Sequence, residues 1–238
     1  MKRVKWLAGS WPLSMRQLAQ RIRADVFAPE GMSGFLVTRV RENSIEARFI
    51  EKIVSEETIT DPFENEIRFE RISYIETAFR FSDEFPEVEL RNAPRSIGPF
   101  SSRVSQICSF EAGWTNLNVD VLMWADNVQE QIGNKIVIDR AHVKDVVFDE
   151  AVNFEATLSG TRDVRPSMKA LLGERQHTLD KLHFSVNSGA RVVRVQISAD
   201  GSMQAPSDIP DELVLAIRQA LPRKRAAAGP IRSIRAHE

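Results

Sequence analysis

With 238 residues, 42% of them hydrophobic and 27% charged, and a formal net charge of −1, the chain can form one large domain or two small ones. These proportions set aside extended disorder for most of its length. The single cysteine, Cys108, excludes a disulfide framework and a Cys-based zinc site within one chain, and beside Val104 and Ile107 it reads as a small core residue.

The N-terminus starts with basic residues, but Gly9, Ser10 and Pro12 break its apolar part and Arg16, Arg21 and Arg23 follow, so it does not read as a signal peptide. No run approaches the roughly 18–20 apolar residues of a membrane span. A soluble cytoplasmic protein is the expectation. The first helix is predicted over 15–27, with Ser14 and Gln17 as a capping box and Met15, Leu18, Ile22 and Val26 as its apolar stripe. From Phe35 to about Leu90 the chain is β-rich, and GFLVTRV, SIEARFIEKIV, ETIT, EIRFE, SYIETAFRF and EVEL read as successive strands. ENS and TDPFEN supply turns, and connections this short make an antiparallel meander.

Pro94, Gly98 and Pro99 interrupt regular structure before a helix of about ten residues from Ser101. A stronger helix is predicted near 119–132, capped by Asn118, with Val121, Leu122, Ala125, Val128 and Ile132 inward and Gly133 closing it. Strands follow near 135–140, 143–148 and 152–159, then a helix near 164–174 capped by Asp163. Strands near 178–186 and 191–198 and a short last strand precede a helix near 208–221, capped by Ser207 or Asp208.

The predicted fold class is therefore α+β. An antiparallel β-rich half with one N-terminal helix spans 1–100. An α+β half spans 101–222, in the order helix, three strands, helix, three strands, helix. A flexible basic tail spans 223–238.

The charge is unevenly spread. Residues 1–24 carry six basic and no acidic side chains, and 222–238 carry five basic and one acidic, which leaves the body at −11. Residues 42–90 alone hold fourteen acidic against five basic side chains. This stretch reads as a solvated sheet face with Glu and Arg paired across strands, or as an acidic surface that receives a basic partner, the chain's own tail included. Such a body argues against nucleic acid wrapping the whole molecule.

No phosphate loop, GxGxxG or GxSxG is present, and no Glu-x-Lys accompanies the acidic residues around His142. His183 is expected to point outward from a strand whose Leu182, Phe184 and Val186 point inward, and an ordinary sheet-face histidine outweighs a metal ligand there. Trp6 and Trp11 lie among basic residues and either anchor the N-terminal segments to the sheet or stack on bases. The sequence thus implies no cofactor and no metal.

The favoured expectation is a non-catalytic binding or assembly subunit whose partner is another protein subunit or a second copy of itself, with no membrane partner. The alternative is nucleic-acid binding through the ends, by Lys2, Arg3, Lys5, Arg223, Lys224, Arg225, Arg232 and Arg235. An enzyme site assembled from distant residues, with His142, Asp145, Asp149 and His183 as candidates, is the third reading.

Overall fold

Val4, Trp6 and Leu7 are all buried on the first strand, and the alternation of side chains across a strand sends Trp6 and Leu7 to opposite faces. That strand, β1 (Lys2–Ser10), is the seam of the molecule. The computed structural model describes residues 1–149, 151–188 and 191–223, so Lys224, Arg225, Arg232 and Arg235 lie outside the described residues. Among the described residues, eleven strands form one large antiparallel sheet with five helices, a mixed α+β, strand-rich architecture.

Along the chain, β1 is followed by α1 (Met15–Ala24), then β2 (Ser33–Val40), β3 (Ser44–Thr60), β4 (Glu66–Ser82) and β5 (Val88–Arg91). Next come α2 (Gly98–Ile107), β6 (Gly113–Asn116), α3 (Val121–Ile132), β7 (Val137–Val147), β8 (Asn153–Ser159) and α4 (Arg165–Leu172). The chain continues through β9 (Thr178–Ser188), β10 (Arg191–Ser198) and β11 (Ser202–Ala205) to α5 (Asp211–Gln219). Across the sheet the order is β2-β3-β4-β5-β1-β11-β10-β9-β7-β8, with β6 paired to the far end of β1.

The element order departs from the sequence reading in specific places. SIEARFIEKIV and ETIT are one strand, as are EIRFE and SYIETAFRF, so β3 and β4 each run 17 residues. The expected strands near 135–140 and 143–148 are likewise one strand, β7, whose register slips at Val143/Val146, where Asp145 takes a positive φ of 52°. GWTN, which lies between the second and third predicted helices, forms β6.

The helices show which local signals were decisive. Ser14 and Gln17 make the predicted capping box on α1, and Gly133 closes α3 in the left-handed region at φ 66°. Asp120, not Asn118, caps α3, since its carboxylate accepts the N–H groups of Leu122 and Met123. On α4 the cap position is Val164, although the Asp163 carboxylate accepts the Arg165 N–H at 3.0 Å. α5 begins behind Pro210 with no side-chain cap, so neither Ser207 nor Asp208 serves there.

Two cores lie on opposite faces of this one sheet. On one face Leu18 and Ile22 of α1 and Phe100 and Val104 of α2 pack with Leu7, Phe49, Phe79, Phe81, Val88 and Leu90. On the other, Trp124 and Val128 of α3, Met168 of α4 and Ile217 of α5 pack with Val4, Trp6, Ile138, Phe184, Val195 and Met203. Full burial of each such side chain contributes roughly 1.5–3 kcal/mol. The helices of the two halves therefore sit on opposite sides, and each half leaves its other face without a helix.

The halves are tied at β1. Trp6 donates its indole N–H to the buried Glu89 carboxylate at 2.9 Å and meets Trp124 edge-on at 5.8 Å. Arg91 donates to Glu89 at 2.6 Å, and Arg218 of α5 stands 3.6 Å from it.

Candidate interaction surfaces

Beyond Glu51 and Tyr74 the β3–β4 pair leaves the body. β2 stops opposite Glu51 and β5 pairs β4 only over Ala78–Phe81, so nine cross-strand pairs, from Lys52/Tyr74 to Thr60/Glu66, have no third strand. At a strand rise of about 3.4 Å per residue this arm is roughly 30 Å long. Its tip is a built turn, because the Asp61 carboxylate accepts from the N–H of Phe63 at 2.8 Å and of Asn65 at 2.9 Å. The Asn65 side chain donates as well, and these bonds hold the Asp61 carboxyl below its ordinary range.

The register sorts the arm's side chains into two faces. One carries Ile53, Ile59, Ile67 and Phe69, with the Arg71 guanidinium 2.7 Å from the Glu57 carboxylate. The other carries Tyr74, Val54 and Ile72 near the body, then Glu56 directly opposite Glu70, a like-charged pair that costs stability in the isolated arm. Of the 19 large hydrophobic residues exposed among the described residues, eight lie within 52–74, a concentration that makes the arm a candidate interaction surface. The same 23 residues hold six acidic and three basic side chains. The acidic 42–90 stretch thus resolves into paired charges, such as Arg48 and Glu76 at 3.1 Å, and this projecting ribbon.

The second surface is the helix-free face of the C-terminal half. Strand pairing aligns two rows of side chains across six strands. One reads Arg3, Gln204, Gln196, His183, Arg140 and Ser159. The other reads Lys5, Ser202, Ser198, Lys181, His142 and Thr157. Every one of the twelve is a hydrogen-bonding side chain, and none is a carboxylate. At about 4.8 Å per strand each row spans roughly 24 Å. Arg194, opposite Ser185, extends the same face.

Carboxylates sit beside the rows. Asp200 holds Lys5 at 2.8 Å, Asp180 lies 3.7 Å from Lys181, Glu155 lies 4.0 Å from His142, and Asp139 accepts from the Ser185 hydroxyl at 3.5 Å. Half-burial, reinforced by the Arg140 guanidinium, pushes the His183 imidazole below its usual value, against the pull of Asp139. The rows run into a groove of about 450 Å³ lined by Arg3, Lys5 and Arg95 and by Trp114, Pro94 and Ile97.

The predicted terminal residues are placed in part. Lys2 is bridged to Asp211 of α5 at 2.7 Å and Lys5 to Asp200, while the Arg3 side chain is exposed beside the groove. Arg223 lies over the Phe85 ring at 6.0 Å, and the tail residues beyond it fall outside the described residues. Trp6 is fully buried and Trp11 donates its indole N–H to the Ser82 carbonyl at 2.8 Å, so both anchor the sheet.

His142, Asp145 and Asp149 do not converge. His142 pairs with the Thr157 hydroxyl at 3.0 Å, while Asp149 accepts the N–H groups of Ala151 and Val152 in a turn. Among the described residues, no group of three or more His, Cys, Asp and Glu is placed to hold a metal ion, and no helix is long and apolar enough to cross a membrane. Burial raises the Cys108 thiol, against a smaller opposing pull from Arg21, so it stays in the inert neutral form.

No protein-family model and no curated protein matches the chain. The site therefore rests on geometry alone. The arm was half visible in the sequence, as an acidic β-rich stretch with alternating apolar residues. The two rows were not, because each strand contributes only two members and the strand order that aligns them is tertiary.

Proposed function

We propose that this protein is a non-catalytic assembly subunit that joins a second copy of itself through the β3–β4 arm. The observation that carries the reading is the arm's apolar face of Ile53, Ile59, Ile67 and Phe69, held on a ribbon with both edges unpaired in the body. Free strand edges and exposed apolar side chains are liabilities in a lone chain and become assets in an interface. The Glu57–Arg71 pair on that face is self-complementary. A two-fold packing would let each Arg71 reach the partner's Glu57, as an isologous contact requires. A cytoplasmic setting belongs to the same proposal.

The alternative through the basic ends draws less support. Lys2 and Lys5 each already hold a carboxylate of their own chain.

The test is light scattering after size exclusion on the full chain and on a variant whose 55–71 segment is replaced by Asn-Gly, a two-residue hairpin turn. The full chain is expected as a dimer and the variant as a folded monomer, because the arm lies outside both cores, with a melting temperature that rises with protein concentration only in the full chain. The same oligomeric state for both would overturn the proposal.

A further inference from the structure

We infer that the helix-free face of the C-terminal half binds single-stranded nucleic acid, with phosphates on the two cross-strand rows and a base in the adjoining groove. This goes beyond the arm-mediated assembly and does not depend on it.

Three observations carry it together. First, the rows carry only donor-capable side chains, cationic at Arg3, Arg140, Lys5 and Lys181, with His142, His183 and Gln, Ser and Thr at the other positions, of which Ser198 alone is buried. These are the residue types that contact phosphate and sugar. Second, Arg3, Arg140 and Arg194 are exposed and have no carboxylate within ion-pair distance among the described residues, unlike Lys5 and Lys181. Third, the rows end in a groove lined by Arg3, Lys5 and Arg95 together with the partly exposed Trp114. Trp114 is itself backed by Phe100, at 5.7 Å between centroids and 26° between planes. A supported aromatic beside unpaired arginines is how a base and its phosphate are held at once.

That pairing also decides between ligands. An acidic protein segment would use the cations and leave the Trp114 wall idle. A duplex keeps its bases stacked inside and cannot offer one to the groove. A flexible single strand satisfies both.

The test is fluorescence anisotropy of a labelled oligothymidylate of about 20 nucleotides, long enough for several contacts, against a duplex of equal length, over a series of salt concentrations. The full chain is compared with five variants. They are Arg3→Ala/Arg140→Ala/Arg194→Ala, the same three positions changed to Lys, Trp114→Leu, the Asn-Gly arm replacement, and the chain ending at Arg223.

Single-strand binding is expected to exceed duplex binding at least tenfold. The triple Ala variant should lose at least tenfold at low salt, with a log–log salt slope shallower by about 2, at roughly 0.7 per phosphate contact. The triple Lys variant should keep most of the slope, which separates charge from misfolding. Trp114→Leu should cost roughly tenfold on the single strand and little on the duplex. The arm variant should bind as the full chain does, which keeps this inference distinct from the assembly reading.

Absence of binding at low salt, equal affinity for duplex, or loss on tail removal with indifference to the triple Ala change would each overturn the inference. So would loss of self-association, instead of nucleic acid, in the triple Ala variant, since the ligand would then be the acidic arm of another copy.

Discussion

The N-terminal and C-terminal halves solve the same problem with opposite hands. Each lays helices on one face of a shared sheet, but α1 and α2 lie on the side that α3, α4 and α5 leave open. The N-terminal half adds a ribbon that projects past its own core, acidic and apolar at once. The C-terminal half adds no projection and instead exposes a flat array of donors. Burial accounts for the helix-covered faces in both. It accounts for neither the arm nor the array, so function is sought in those two places.

The comparison stands on β1, where the faces change over, and the sharpest way to break it is at Glu89. Only 3% of this residue is exposed, yet it carries a carboxylate bonded to Trp6 and Arg91 with Arg218 nearby. Glu89→Ala leaves the Arg91 guanidinium and the Trp6 indole N–H without their acceptor and Arg218 without its counter-charge, in a neighbourhood where the Arg80 guanidinium is already pushed down by burial and by Arg218. Breaking a buried pair from one side costs about 3–5 kcal/mol. Urea unfolding followed by tryptophan fluorescence is expected to show that loss, with both halves destabilised together because Trp6 and Val88 flank the site on opposite faces. A change under about 1 kcal/mol would mean that Glu89 is solvated and that the seam is held by apolar contact alone.

A smaller effect confined to the N-terminal half is expected at Gly34. A Cβ there would stand 2.6 Å from the backbone N and Cα of Phe27, where the chain after α1 crosses the start of β2. Gly34→Ala should therefore cost about 1–3 kcal/mol, as overpacking does. Amide exchange should rise in β2 and the start of β3 and stay unchanged in β9 and β10. Equal exchange increases in both halves would show that the sheet transmits the strain and that the two cores are one cooperative unit.

Much of this architecture was legible in the residues. Capping chemistry located α1 and the end of α3, because Ser14, Gln17 and Gly133 act within one turn of chain. Turn residues located the tip of the arm for the same reason. What the sequence concealed was continuity. Ser55 and Glu56 looked like a break in β3, and only pairing along all 17 residues of β4 keeps that polar segment extended. Trp6 was ambiguous among its basic neighbours until Glu89, 83 residues away, supplied its acceptor. The rows of the C-terminal face are the extreme case. The alternation in LHFSV shows that His183 points away from the core, but nothing local says that Arg140 and Gln196 stand on either side of it.

The smallest predicted effect tests the end of the seam where the array begins. Burial raises the Asp200 carboxyl, but hydrogen bonds from Lys5 and Ser202 outweigh it, and the group lies below its ordinary value of 3.8 in the folded chain. A carboxyl depressed on folding adds stability above its unfolded pKa and loses it as the pH falls through the folded one. The Lys5 and Asp200 side chains are 33% and 48% exposed, so solvent screens the pair and its contribution stays below about 1 kcal/mol. Lys5→Met keeps the stem and removes the charge, leaving burial to raise the Asp200 carboxyl instead. Thermal melts of wild type and Lys5→Met should therefore differ most near neutral pH and converge below pH 3.8, as protonation empties the Asp200 charge in both. A gap that persists unchanged at low pH would show that Lys5 does not stabilise the fold through the Asp200 charge, and the charge at this corner of the array would then be free for a ligand.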